Sequence, residues 1–188
     1  MKILSADQIA KTDAYTIEHE PIKSIDLMER AAKACFEWIV ANYDKRHDFH
    51  IFCGVGNNGG DGLVIARLLT EKGYKVNVVI VAFSDKISPD YSTNLQRFKK
   101  LNPGAITTLT NEEHEFKFQV ENSVVIDAIF GSGLNRTVQG FAADVIHNIN
   151  ETHLEVISVD IPSGLFVQNN KDNKPNGIIR ASITLSLE

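Results

Sequence analysis

The stretch Gly54-Val55-Gly56-Asn57-Asn58-Gly59-Gly60-Asp61-Gly62 concentrates unusual chemistry in nine positions. Its glycines leave a length of backbone with little side-chain cover, and two amides and a carboxylate stand between them. A ligand can come close to such a main chain and still meet three directed polar groups, which favours a binding site over a simple turn. Each residue also has a plainer reading. Asp61 is a good cap for a helix starting at Gly62, and Asn57 and Asn58 are common turn residues that tolerate left-handed backbone.

Two further segments carry the same mix. Asp127 lies inside the apolar run Val124 to Phe130, which continues into Gly131-Ser132-Gly133-Leu134-Asn135-Arg136-Thr137. A carboxylate within an apolar strand is costly unless it is paired or bound to a cation. Asp160, in Val159-Asp160-Ile161-Pro162-Ser163-Gly164, raises the same question. Ser163 reads equally as a turn hydroxyl, and Arg136 as a solvated charge or a phosphate partner. His147 and His153 lie on or after an amphipathic helix and read as surface residues.

The elements that must position these groups are legible from periodicity. Apolar runs at Ile51–Val55, Val76–Phe83, Val124–Phe130, Val156–Ile161 and Ile183–Leu187, with a weaker one at Ala105–Leu109, alternate with helical segments at Leu63–Lys72, Tyr91–Leu101 and Phe141–Asn150. Continuous apolar strands alternating with helices indicate a parallel sheet covered on both faces. Gly73 stands where a helix C-terminal glycine should. Before the sheet, Ser5-Ala6-Asp7-Gln8 has the form of a capping box and opens a helix to about Glu18. Ser24 caps a second helix to about Tyr43, with Leu27, Ala31, Ala34, Cys35, Trp38 and Ile39 on its apolar face. The polar stretch Gln168 to Asn176 reads as an exposed loop. In a parallel sheet all strands point the same way, so the three polar segments share one edge, where open α/β sheets bind ligands.

The glycines formally match Gly-x-Gly-x-x-Gly from Gly54 to Gly59. The acidic residue that should follow about 20 positions on is missing. The end of the second strand reads Val81-Ala82-Phe83-Ser84, and no lysine follows the glycines as in a phosphate-binding P-loop. An ordinary nicotinamide-dependent dehydrogenase is therefore disfavoured.

Composition bounds the class. With 43% hydrophobic and 23% charged residues over 188 positions, the chain suits one soluble domain, taken as residues 1–188. A net charge of −5 and the absence of a long basic block argue against general nucleic-acid affinity. Cys35 and Cys53 sit in apolar contexts without metal spacing and read as reduced core residues. No secretory signal or membrane-length apolar run is present, so a cytoplasmic location is expected.

Gly-x-Gly-Asn-Asn-Gly-Gly-Asp-Gly, followed by Ala66-Arg67, resembles the YjeF N-terminal domain family, whose enzymatic members are NAD(P)H-hydrate epimerases. Asp127-Ala128-Ile129-Phe130-Gly131-Ser132-Gly133-Leu134 and Val159-Asp160-Ile161-Pro162-Ser163-Gly164-Leu165 are similar to its next two signatures. Leu27-Met28-Glu29-Arg30-Ala31-Ala32 is similar to its N-terminal helix. The resemblance covers nearly the whole chain. It implies a Rossmann-like three-layer sandwich with a mainly parallel sheet and two N-terminal helices, and usually a homodimer. It implies epimerisation of the R and S forms of hydrated NADH or NADPH (NADHX, NADPHX), a repair of damaged cofactor, with one potassium ion per subunit. By motif, the ion's side-chain ligands are Asn58, Asp127 and Ser163. Substrate contacts are Asn57, Asn58, Gly59, Gly60, Asp61, Gly131, Ser132, Gly133, Leu134, Asn135, Arg136, Thr137 and Asp160.

Oxygen donors of these types suit a hard cation, and the backbone N–H groups of residues 131–134 suit phosphate. Inversion at the hydrated carbon needs an acid to help the hydroxyl depart and a base to activate returning water. Asp160 is the expected acid/base group, with Asp61 second, because they are the carboxylates left once Asp127 is given to the ion. Family members continue beyond Ser186-Leu187-Glu188 by a strand and a helix, and some into a separate or fused dehydratase domain. The expectation is a chain trimmed or naturally short here, with an exposed sheet edge. A competing reading is a non-catalytic RNA- or protein-binding module of the same fold. The intact Asp160 and Asn-Asn-Gly-Gly-Asp loop favour the enzyme.

Overall fold

The computed structural model of the chain describes residues 6–20, 22–111, 122–171 and 173–187. The apolar runs form β1 (Asp48–Cys53), β2 (Lys75–Val81), β3 (Ile106–Leu109), β4 (Ser123–Ala128), β5 (Glu155–Val159) and β6 (Ile183–Leu185). All pair in parallel, in the order β3-β2-β1-β4-β5-β6. This is the doubly wound order, with its reversal between β1 and β4. The helices are α1 (Ala6–His19), α2 (Ser24–Asn42), α3 (Asn57–Glu71), α4 (Pro89–Leu101) and α5 (Phe141–Glu151).

The two-residue period of the strands divides the apolar residues between two cores. Phe49, Ile51 and Cys53 of β1 join Met28 and Ile39 of α2, Leu63 of α3 and Phe98 of α4. Phe52, between Ile51 and Cys53, joins Val145, Ile146 and Ile149 of α5 on the opposite face. The expected three-layer α/β architecture is the one observed. None of the described helices is long and apolar enough to cross a membrane.

Helix ends explain several boundaries. At Gly73 the backbone turns left-handed, with φ +84°. Gly73 N–H donates to Thr70 O at 2.9 Å and Tyr74 N–H to Leu69 O at 3.0 Å, a Schellman closure of α3. Ser88 Oγ accepts from Tyr91 N–H at 3.1 Å and caps α4. Ser24 behaves otherwise than expected. It is the first residue of α2, with Lys23 in the cap position, and its hydroxyl donates across to Asp90 Oδ2 of α4 at 2.6 Å. Ser5, the start of the expected capping box, lies outside the described residues.

Two expectations need correction. The buried stripe of α2 is Met28, Ala32, Cys35 and Ile39, whereas Ala34 is exposed and Leu27 only half-buried. Alanines on both sides of the helix make its apolar face ambiguous in sequence, and Met28 settles it by packing where α3 has only Gly60. Secondly, α3 begins at Asn57, six residues before the expected Leu63, so most of the glycine run is helix. Glycine lowers helix stability by about 1 kcal/mol relative to alanine. Tertiary packing offsets that cost. A methyl on Gly62 would sit 2.7 Å from Ala128 Cβ, one on Gly60 would sit 2.8 Å from Met28 Sδ, and one on Gly59 would collide with the carbonyl of Gly54. The glycines let α3 lie directly on β1 and β4.

Candidate functional site

The C-terminal ends of β1, β4 and β5 open on one cavity of about 1050 Å³ at the sheet's reversal point. Asn57, Asn58 and Asp61 reach it from the first turns of α3, and Gly131 to Thr137 from the loop after β4. Asp160 enters from the end of β5, so the three segments converge as the sheet polarity requires. Gly59 and Gly60 are buried beneath this surface, Gly59 against Gly54 and Gly60 against Met28. Asp61 is not the cap of a helix starting at Gly62. It lies one turn inside α3, 8% exposed, on the cavity wall.

Asp160 holds a left-handed backbone, φ +69°, in a residue that is not glycine. Such conformations cost roughly 1–3 kcal/mol and persist only where surroundings impose them. Here its N–H donates to Leu185 O at 2.8 Å, and its Oδ2 accepts the Ser132 N–H at 2.6 Å. The carboxylate is thereby fixed beside the Gly131 turn. A methyl on Gly131 would stand 2.5 Å from Asp160 Oδ2 and 3.2 Å from Asn58 Cβ. Asn58 and Asp160 thus both flank Gly131.

Not every backbone N–H of residues 131–134 is available to a phosphate. Ser132 N–H is committed to Asp160, and Leu134 N–H donates to Gly131 O at 3.1 Å. Arg136 is exposed at the rim. His147 and His153 are exposed, as expected.

Asp127 is fully buried behind the cavity wall. Its carboxylate accepts four hydrogen bonds: Ser163 Oγ at 2.5 Å, Ser158 Oγ at 2.7 Å, Ser163 N–H at 2.9 Å and Ile129 N–H at 3.3 Å. All four donors are neutral, so the charge is met by dipoles without being cancelled. Burial pushes its pKa above the ordinary carboxylate value, against the downward pull of the Ser163 and Ser158 bonds. Ser163 Oγ also accepts the Phe130 N–H at 2.8 Å, which knits the loops after β4 and β5 together.

Ser158 is a residue the sequence reading missed. It faces Asp127 directly in the β4–β5 register. Its signal was a lone hydroxyl in the apolar run Val156-Ile157-Ser158-Val159.

Asn58 is the outlier in this satisfied surrounding. Both polar atoms of its side chain, Oδ1 and Nδ2, are buried without a hydrogen-bond partner. An unmet buried amide costs about 1–3 kcal/mol, so such a group calls for a partner outside the protein's own side chains and backbone. An amide oxygen, a hydroxyl and a carboxylate are donor types that suit a hard cation of low charge.

The acidic groups also set the field around the free, buried cysteines. Burial first, then the charge of Asp61, pushes the Cys35 thiol up to about 12. Cys53 is raised by burial and by Asp61 and Asp127. Both are core thiols, in keeping with their apolar sequence context.

Known proteins are similar to this chain. A family model described as YjeF-related protein N-terminus matches residues 24–188. A protein of Anaerococcus prevotii named NAD(P)H-hydrate epimerase is 44% identical over 170 residues, covering 88% of this chain and 76% of that one. A Moorella thermoacetica protein named bifunctional NAD(P)H-hydrate repair enzyme Nnr is 37% identical over 171 residues, and the match spans 88% of this chain but 32% of that protein. The crystal structure of yeast ynu0 superposes with a TM-score of 0.76 over 98% of this chain and 79% of that one; at 22% identity the likeness concerns the fold. The family model covers most of the chain and the relatives are similar along the same length, so the chain belongs to the YjeF-related protein N-terminus family.

Proposed function

We propose that this protein epimerises NADHX and NADPHX, the hydrated forms of the reduced nicotinamide cofactors. The observation that carries the reading is the placement of Asn58 and Asp160 on either side of Gly131 in one cavity at the sheet's reversal point. The relatives named NAD(P)H-hydrate epimerase support it.

The hydrated carbon bears a hydroxyl next to the ring nitrogen. Expulsion of that hydroxyl by the nitrogen lone pair leaves a planar ring cation, and water returning to the other face gives the other epimer. A carboxyl group donates a proton to the departing oxygen, and a carboxylate accepts one from the returning water. Asp160 is assigned this work because its backbone and Oδ2 are held in place at the cavity wall. Asp61, on the same cavity, is the second candidate and also stabilises the planar cation through its charge. Substrate is held by Asn57, Asn58 and the segment from Gly131 to Thr137, with Arg136 set to meet a phosphate.

Asn58, Asp127 and Ser163 would hold a potassium ion. Bound there, it would supply positive charge against the buried Asp127 and the pyrophosphate of the substrate.

Replacement of Asp160 by Asn tests the assignment. Exchange between the epimers, followed with an S-specific dehydratase as reporter, should fall about 10²–10⁴-fold with folding intact. Turnover near that of the parent protein removes Asp160 from the mechanism. The same reading takes residues 1–188 as one domain acting in the cytoplasm as a homodimer. A sedimentation mass of a single chain at micromolar concentration would refute the dimer.

A further inference from the structure

A nucleotide-binding sheet of this order meets the ribose hydroxyls with an acidic residue at the end of its second strand. Here that position offers Ala82 and Phe83, and Phe83 lines the cavity. Phe130 follows the end of β4, and it also lines the cavity. The two rings lie with centroids 4.6 Å apart and planes tilted by 36°. Both are half-buried. Neither ring is free to fold away: Phe83 packs on both apolar cores and Phe130 on the α5 side. Phe130 N–H is bound to Ser163 Oγ as well. A rigid, partly uncovered aromatic pair in a polar cavity is an apolar surface awaiting a flat ring.

We infer that Phe83 and Phe130 form the subsite for the adenine ring of the substrate. The inference rests on the epimerase reading, which puts the reacting carbon at Asp160. Asp160 follows β5; Phe83 follows β2, three strand spacings or about 14 Å along the sheet edge, and Phe130, whose ring meets that of Phe83, follows β4, one spacing from β5. A dinucleotide carries a second heterocycle beyond its pyrophosphate, and the Gly131 to Thr137 loop begins at the residue after Phe130. The chemistry of the rings agrees with this direction. The hydrated nicotinamide ring contains tetrahedral carbons and is puckered, whereas adenine is flat and stacks well on phenyl faces. The subsite contributes to binding far from the reacting carbon and is occupied equally in ground and transition states. Its loss therefore raises KM and leaves kcat in place.

The probe is ADP, which carries the adenine and the phosphates but no nicotinamide. Calorimetric titration should give Phe83→Leu and Phe130→Leu affinities about tenfold weaker than the parent protein, near 1.4 kcal/mol. Phe83→Trp should keep the affinity, and ADP should quench the emission of the introduced indole relative to the parent, whose tryptophan is Trp38 on α2. With NADHX, Phe83→Leu should show a tenfold higher KM and kcat within twofold. With hydrated reduced nicotinamide mononucleotide, which lacks the adenosine half, parent and variant should have equal kcat/KM.

An equal loss on the mononucleotide would put the nicotinamide on the aromatic pair and overturn the inference. Unchanged ADP affinity in a folded Phe83→Leu, or absence of quenching in Phe83→Trp, would overturn it too. If no variant and not the parent epimerises NADHX, yet ADP affinity still depends on Phe83, the epimerase reading fails and the adenine subsite stands.

Discussion

Asn58 and Asp127 are buried polar groups with opposite circumstances. Asp127 is supplied with four donors from three residues, which ties β4 to β5 and to the turn at Ser163. Asn58 has none. A potassium ion would turn its unmet amide from a cost into a ligand. Replacing Asn58 by Ala in potassium-free buffer should therefore be neutral or slightly stabilising, because an orphaned buried amide is removed. Potassium in place of sodium should raise the urea midpoint of the parent protein and leave that of Asn58→Ala unmoved. An equal potassium effect on both proteins would place the ion elsewhere.

At the scale of elements, the first turns of α3 combine packing and binding on different residues. Asn57, Asn58 and Asp61 face the cavity, while the interspersed glycines let the helix approach the sheet and α2. Helix propensity alone says Gly59→Ala should stabilise by about 1 kcal/mol. The contact with the Gly54 carbonyl reverses that sign. Gly59→Ala should lose about 1–3 kcal/mol, the usual range for overpacking. Gly56→Ala, whose methyl would meet nothing within 4 Å, should stay within about 1 kcal/mol of the parent. Urea unfolding of the two variants decides the point, and a stabilised Gly59→Ala would refute the packing argument.

The whole molecule closes over its thiols. Cys35 is 4% exposed and Cys53 fully buried, on the core between the sheet and the α2–α4 layer. A pKa raised in the folded state keeps the thiol protonated, and the thiolate is the reactive form. At pH 8 native Cys35, pushed up to about 12, should resist iodoacetamide, and Cys53 likewise. Unfolded chains should react at the rate of a free thiol. The native labelling rate then reports opening of the molecule, and rapid labelling of either cysteine without unfolding would contradict this core.

Strand polarity and the convergence of three polar segments were legible in the amino-acid sequence because both follow from local period and from the geometry of parallel sheets. The family motifs added Asn58, Asp127, Asp160 and Ser163 as candidate site residues, which motif spacing alone can point to. Tertiary structure alone decided where α3 begins, because the glycines that weaken a helix locally are required by the approach of Gly59 to Gly54 and Gly62 to Ala128. It decided the buried stripe of α2, which Met28 takes by filling space above Gly60. It also decided that Ser158 serves Asp127 and that Phe83 meets Phe130, residues far apart in sequence and brought together by strand register and order. Periodicity specifies which way a strand faces. Which side chain it then meets is set by its neighbours in the sheet.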